Sequence, residues 1–175
     1  MCVLSMISFL LWAGLLLLAA MRFGIPDMMS DVYYQLQGCT GSEVIGDKRK
    51  RNYGWVFTAV MVTCAILMMV CMLDTGKGVQ FLAFIGCVGL MFVGFSPNYL
   101  DADDYPIHKV GALVAAAGCV GWCLSVCWVP TAVIALIYLL LVSYSDDDGE
   151  CNPSWYMAEV AGFLDVYITY WACAL

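Results

Sequence analysis

The most constraining feature of this sequence is its division into long apolar runs with almost no charge inside them, joined by short polar connections. A helix needs about 20 such residues to cross a hydrocarbon core of roughly 30 Å, because each unpaired backbone group left in lipid costs several kcal/mol. Six runs approach this length, over residues 2–21, 54–73, 79–95, 110–127, 130–144 and 158–175. They predict an all-α polytopic membrane protein, a six-transmembrane-helix bundle that forms a single integral membrane domain over residues 1–175. Hydrophobic residues make up 63% of the chain and charged residues 12%, against roughly 45–50% and about 25% in soluble domains. That balance excludes a water-soluble monomer.

The boundaries follow from the breaks between runs. The first run carries no charge before Arg22. It lacks a basic start and is too long for the apolar core of a signal peptide, so it is expected to stay as an uncleaved span. Only Asp74-Thr-Gly-Lys-Gly78 separates the second run from the third, which predicts a tight helical hairpin. Residues 110–144 are too many for one crossing. Pro130 lacks the amide hydrogen of a continuing helix but suits the first turn of a new one, so it divides them. The fifth span is short, and is expected to tilt little or to extend back through Trp128. Tyr53, Trp55, Trp128, Tyr144, Trp155 and Tyr156 stand at run ends, where aromatic rings prefer the lipid–water interface. Trp12 and Trp122 do not fit that belt and are expected to pack between helices. Residues 26–36 predict a short helix on the membrane surface, with Ser30 as its cap and Met28, Met29, Val32, Tyr33 and Leu36 as its apolar side.

Basic residues near span ends tend to stay cytoplasmic. Arg22, Lys48, Arg49, Lys50 and Arg51 flank the first connection and Lys109 closes the third, whereas only Lys77 lies in an even-numbered one. The 23–52, 96–109 and 145–157 loops are therefore expected in the cytoplasm, with both termini outside and the bacterial inner membrane as the location. A net charge of −7 argues against a nucleic-acid partner. The expected partners are membrane lipids, other membrane proteins or a second copy of the chain. No cofactor or metal is expected.

Few residues suggest chemistry. Asp165 is the one acidic residue well inside a predicted span, where an ionised carboxylate costs at least about 2.5–3.5 kcal/mol, so it is a candidate for a ligand or proton, with Tyr167 beside it. A structural hydrogen bond to a neighbouring helix is the competing reading. His108, the only histidine, follows the acidic Asp101-Ala-Asp-Asp104 loop and could carry a proton or bind a metal, or simply bond at the interface. Lys48, Arg49, Lys50 and Arg51 are candidates for lipid head groups, each contributing around 1 kcal/mol near an anionic surface. Cys119, Cys123 and Cys127 recur every four residues beyond Gly111 and Ala115. That pattern fits close helix packing better than a thiolate metal site. Cys39 and Cys151 fall in loops expected to be cytoplasmic, where no disulfide is expected. The Walker loop, the dinucleotide-binding glycines, HExxH and GxSxG are all absent.

Gly94-Phe-Ser-Pro97, a short acidic loop, then His108 followed by Gly111 and Ala112 resembles the central signature of a family of small six-span bacterial membrane proteins, distantly similar to the Frag1/DRAM/Sfk1 group of eukaryotes. The likeness covers some twenty-five residues. It departs from the pattern in having Phe95 one place early and Ser96 directly before Pro97. Asp31-Val-Tyr-Tyr34 is also similar to membrane proteins of gut bacteria and their phages. The resemblance implies lipid handling and membrane organisation. Together these readings favour a non-enzymatic accessory protein that interacts with lipids or membrane partners. The alternatives are a small transporter or proton-coupled carrier using Asp165, and a lipid-modifying enzyme using His108 with Asp101, Asp103 or Asp104.

Overall fold

A computed structural model describes residues 2–38, 53–144 and 154–174, and all regular structure among them is helical. The helices are α1 (Cys2–Phe23), α2 (Asp31–Gln37), α3 (Gly54–Asp74), α4 (Gln80–Phe95), α5 (Tyr105–Val126), α6 (Trp128–Tyr144) and α7 (Ser154–Ala174). Three of them, α1, α3 and α5, are long and apolar enough to cross a membrane, while α4 and α6 are apolar but shorter. Glu159 and Asp165 interrupt the apolar character of α7.

Contacts between distant residues sort the helix ends into two groups. At one end the indole of Trp171 donates to Ser5 Oγ at 3.0 Å, joining the last turns of α7 to the first of α1. The ammonium of Lys77, in the α3–α4 turn, donates to the Cys173 carbonyl at 2.6 Å. At the opposite end α2 packs over the start of α3 and reaches the residues between α4 and α5, while the Tyr156 amide donates to the Asp27 carbonyl at 3.0 Å. The start and the finish of the chain thus lie at the same end of the bundle.

Helices α4 and α5 pack closest. An added Cβ on Gly89 would lie 2.6 Å from the Ala115 amide nitrogen, and one on Gly118 would lie 2.6 Å from the Gly86 backbone. Small residues permit such backbone contact, and it is how helices associate where lipid supplies no hydrophobic drive. The turn before α4 is fixed by the same neighbour. Gly78 adopts φ +65° with Ser125 and Val126 against it, Ser125 Oγ accepts the Val79 amide at 2.9 Å, and the Trp122 indole donates to the Lys77 carbonyl at 3.2 Å. Glycine is required there on both counts, for its left-handed backbone and for its lack of a side chain.

The predicted tight hairpin between α3 and α4 is present, and Trp12 and Trp122 are buried between helices. Trp12 stacks on Phe163 with ring centroids 5.1 Å apart, tying α1 to α7. Several expected boundaries move. Helix α5 starts at Tyr105 rather than 110, since Pro106 occupies its first turn and needs no amide partner there. The break before α6 falls at Cys127, whose backbone is extended, so Trp128 opens the helix and Pro130 sits in its first turn. Helix α7 begins at Ser154, which places Trp155 and Tyr156 inside it rather than before it.

The short helix expected within residues 26–36 is present as α2 and packs against the end of the bundle, on α3 and α1. Helix α2 begins at Asp31, and Ser30 makes no side-chain capping bond. The predicted apolar side turns inward at Met29 and Val32, which are buried, and at Tyr33 and Leu36, which pack against the core, while Met28 is exposed; Tyr34 and Gln37 are buried as well. Asn98 and the Leu100 amide, in the connection between α4 and α5, satisfy the buried Tyr34 hydroxyl. Most of α6 is exposed, including Leu136, Ile137, Leu139, Leu140 and Leu141.

Candidate functional site

The space between α3, α4, α5 and α7 encloses a cavity of about 390 Å3, within the roughly 300–1,000 Å3 typical of small-molecule sites. It exists because the facing residues are short on two sides. Ala112, Ala115 and Ala116 face it from α5, and Ala158 and Gly162 from α7, where a Cβ added to Gly162 would meet nothing within 4 Å. The opposite wall is sulfur-rich, with Met61, Cys64 and Met68 on α3 and Cys87 on α4. Ala116 and Trp155 line the cavity and are themselves exposed, so it reaches the surface between α5 and α7.

Polar groups gather at the end where α2 lies. Glu159 lines the cavity and its Oε2 accepts the Met29 amide at 2.5 Å. Ser30, the next residue, also lines it, and its hydroxyl meets His108 Nε2 at 3.0 Å. His108 Nδ1 lies 2.8 Å from the Ser96 carbonyl. A carbonyl only accepts, so Nδ1 carries the proton, and in the neutral ring Nε2 accepts from Ser30. The ring also packs on Tyr99 with centroids 5.3 Å apart.

Around this core the Tyr99 hydroxyl donates to the Asp31 carboxylate. The Tyr34 hydroxyl donates to Asn98 Oδ1 at 3.1 Å and accepts the Leu100 amide at 2.9 Å. Burial pushes the Tyr34 phenol up to about 12, and burial together with the Asp31 carboxylate raises Tyr99 as well, so both remain neutral donors at physiological pH.

The predicted site residues among those described have definite places. Tyr167 lines the cavity with its ring. Ser8 Oγ donates its one proton to the Cys64 carbonyl at 3.3 Å, so the Tyr167 hydroxyl, 2.8 Å away, donates to Ser8. Asp165 is buried but lies outside the cavity. Its Oδ1 accepts the hydroxyls of Thr131 on α6 and Thr169 on α7, at 3.1 and 3.2 Å, with the Cys123 thiol beside it. Those contacts are the structural hydrogen bonds that competed with a ligand role. His108 sits beside the cavity with both ring nitrogens engaged. Asp101 and Asp103 are exposed, and Asp101 Oδ1 accepts the Asp103 amide at 3.1 Å within its own loop. Asp104 is half-buried and acts electrostatically on His108, so of the three carboxylates named with His108 in the enzyme alternative one lies near the ring and two are turned to the surface. Lys48, Arg49, Lys50, Arg51, Cys39 and Cys151 lie outside the described residues.

The three recurring cysteines do not converge. Cys119 lies against Gly86 of α4, Cys123 lies beside Asp165, and Cys127 is past the helix end. Among the described residues no three His, Cys, Asp or Glu side chains are grouped to hold a metal. Reading the sequence by charge inside spans passes over Glu159, which stands one residue within the edge of the sixth. Its signal was periodic: Glu159, Phe163, Val166, Tyr167 and Tyr170 recur three or four residues apart on the inward face of α7. Compared with known proteins, the chain matches no family model, no curated protein and no solved structure.

Proposed function

We propose that this chain is an integral membrane protein of six spans with a non-enzymatic role, holding a lipidic molecule among its helices as an accessory to lipids or membrane partners. The observation that carries the reading is the cavity of about 390 Å3, whose walls are aliphatic, aromatic and sulfur side chains apart from Ser30 and Glu159 at one end. In a bilayer such a space is filled by hydrocarbon, since leaving it empty forfeits dispersion contacts and filling it with water leaves that water few polar partners. The common end shared by chain start and finish supports an even number of crossings, with α4, α6 and α7 completing the set begun by α1, α3 and α5. The distribution of positive charges supports that end lying outside and the α2 end lying in the cytoplasm of a bacterial inner membrane. The resemblance of residues 94–112 to six-span bacterial proteins, whose distant eukaryotic relatives are associated with lipid handling, is consistent with this reading.

Native mass spectrometry of the purified protein tests the reading. A lipidic adduct is expected on the native chain. Filling the cavity with Ala116→Phe and Gly162→Phe together is expected to lower its occupancy by about tenfold or more, equivalent to about 1.4 kcal/mol of binding, with little change in thermal unfolding. Unchanged occupancy in the filled variant would overturn the proposal.

A further inference from the structure

We infer that the cavity selects a single-chain amphiphile with a primary ammonium head, seated at Glu159, over one with an anionic head. This rests on reading the cavity as a lipidic site, and adds the head-group chemistry. Glu159 is half-buried where the apolar walls end, on the same inward stripe of α7 as Phe163 and Val166. A carboxylate has capacity for about four hydrogen bonds, and the Met29 amide at 2.5 Å uses one of them. A charge placed at the edge of an apolar space is costly unless a counter-charge or donors meet it.

The described cations do not supply that counter-charge. Lys77 is at the far end, bonded to Cys173, Lys109 lies over the Tyr105 ring at 5.6 Å, and Arg22 is exposed on the last turn of α1 and is not among the groups that act on Glu159. The surroundings are acidic instead, with Asp31 close enough to act electrostatically on Glu159 and Asp27 bonded through its carbonyl to Tyr156 beside it. An ammonium head gives the carboxylate both a charge and three donors. A carboxylate or phosphate head would meet like charge. Below Glu159 the small faces of Ala112, Ala115 and Gly162 leave room for one chain. The polarizable sulfurs of Met61 and Met68 can adapt to its shape.

The test uses the full chain in neutral detergent at neutral pH, with hexadecylamine, hexadecanol and hexadecanoic acid added singly and 1:1 complexes counted by native mass spectrometry. The amine is expected to bind about tenfold or more above the acid, a difference of about 1.4 kcal/mol, with the alcohol between them. Glu159→Gln keeps an oxygen to accept the Met29 amide and is expected to abolish the difference. Equal binding of amine and acid by the native chain, or an amine preference that survives Glu159→Gln, would overturn the inference. If all three bind alike and the filled Ala116→Phe/Gly162→Phe variant blocks them, the head-group inference alone fails. If none binds to the native chain, the lipidic reading of the cavity fails with it.

Discussion

Gly118→Ala is expected to destabilise the bundle by about 1–3 kcal/mol, and Gly118→Leu to prevent α4 and α5 from assembling. The added Cβ would lie 2.6 Å from both the Cα and the amide nitrogen of Gly86 and 2.9 Å from the Leu82 carbonyl oxygen. These are backbone atoms, with no flexible side-chain tip to turn aside, so the helices must separate and lose their tightest contact. Overpacking of this kind costs about 1–3 kcal/mol and sometimes more. The same substitution at Gly14 of α1, where a Cβ meets nothing within 4 Å, is expected to be neutral or to stabilise by up to about 1 kcal/mol through helix propensity. Unfolding of the purified variants in mixed micelles checks the contrast. Equal effects at the two glycines would show that α4 and α5 are not in backbone contact.

Trp122→Ala is expected to cost about 3–5 kcal/mol, a large share of the roughly 5–15 kcal/mol that holds a typical domain together. Trp122 is completely buried, and its indole donates to the Lys77 carbonyl across the α3–α4 turn. Alanine removes the packing and leaves that carbonyl without the donor. Trp122→Phe keeps most of the packing but loses the hydrogen bond and part of the ring volume, so an intermediate loss of about 1–2 kcal/mol is expected. A loss below about 1 kcal/mol for Trp122→Ala in equilibrium unfolding would show that α5 does not anchor the turn.

The helices were legible because the residues that form them repeat locally. An apolar run free of charge marks a helix, and Pro130 and Gly78 mark the neighbourhood of its end. The boundaries were less legible, since Pro106 and Pro130 fit inside first turns as readily as in front of them. The packing stripe on α5 was read correctly at Gly111 and Ala115, and Cys119, against Gly86, and the buried Cys123 continue it. A four-residue step advances about 400° on a helix of 3.6 residues per turn, so each step rotates the stripe by about 40°. The contact therefore widens to take in Gly118 and Trp122 beside them, and Cys127 falls past the helix end. The site was the least legible part. Ser30 looks like a helix cap because it stands directly before the helix that opens at Asp31, yet its hydroxyl is turned to His108, 78 positions along the chain. Glu159 looks like an interfacial residue because its depth depends on α7 beginning at Ser154.

The sidedness of the native lysines tests the central reading most directly. Intact cells expressing the protein are treated with a membrane-impermeant amine reagent, and the modified peptides are identified before and after permeabilisation. Lys77 stands at the end shared by the chain's start and finish, and Lys109 at the end where α2 packs. Six crossings with both termini outside require Lys77 to be modified in intact cells, and Lys48, Lys50 and Lys109 only once the membrane is opened. Modification of Lys77 and Lys109 from the same side would contradict a bundle that crosses the bilayer between them.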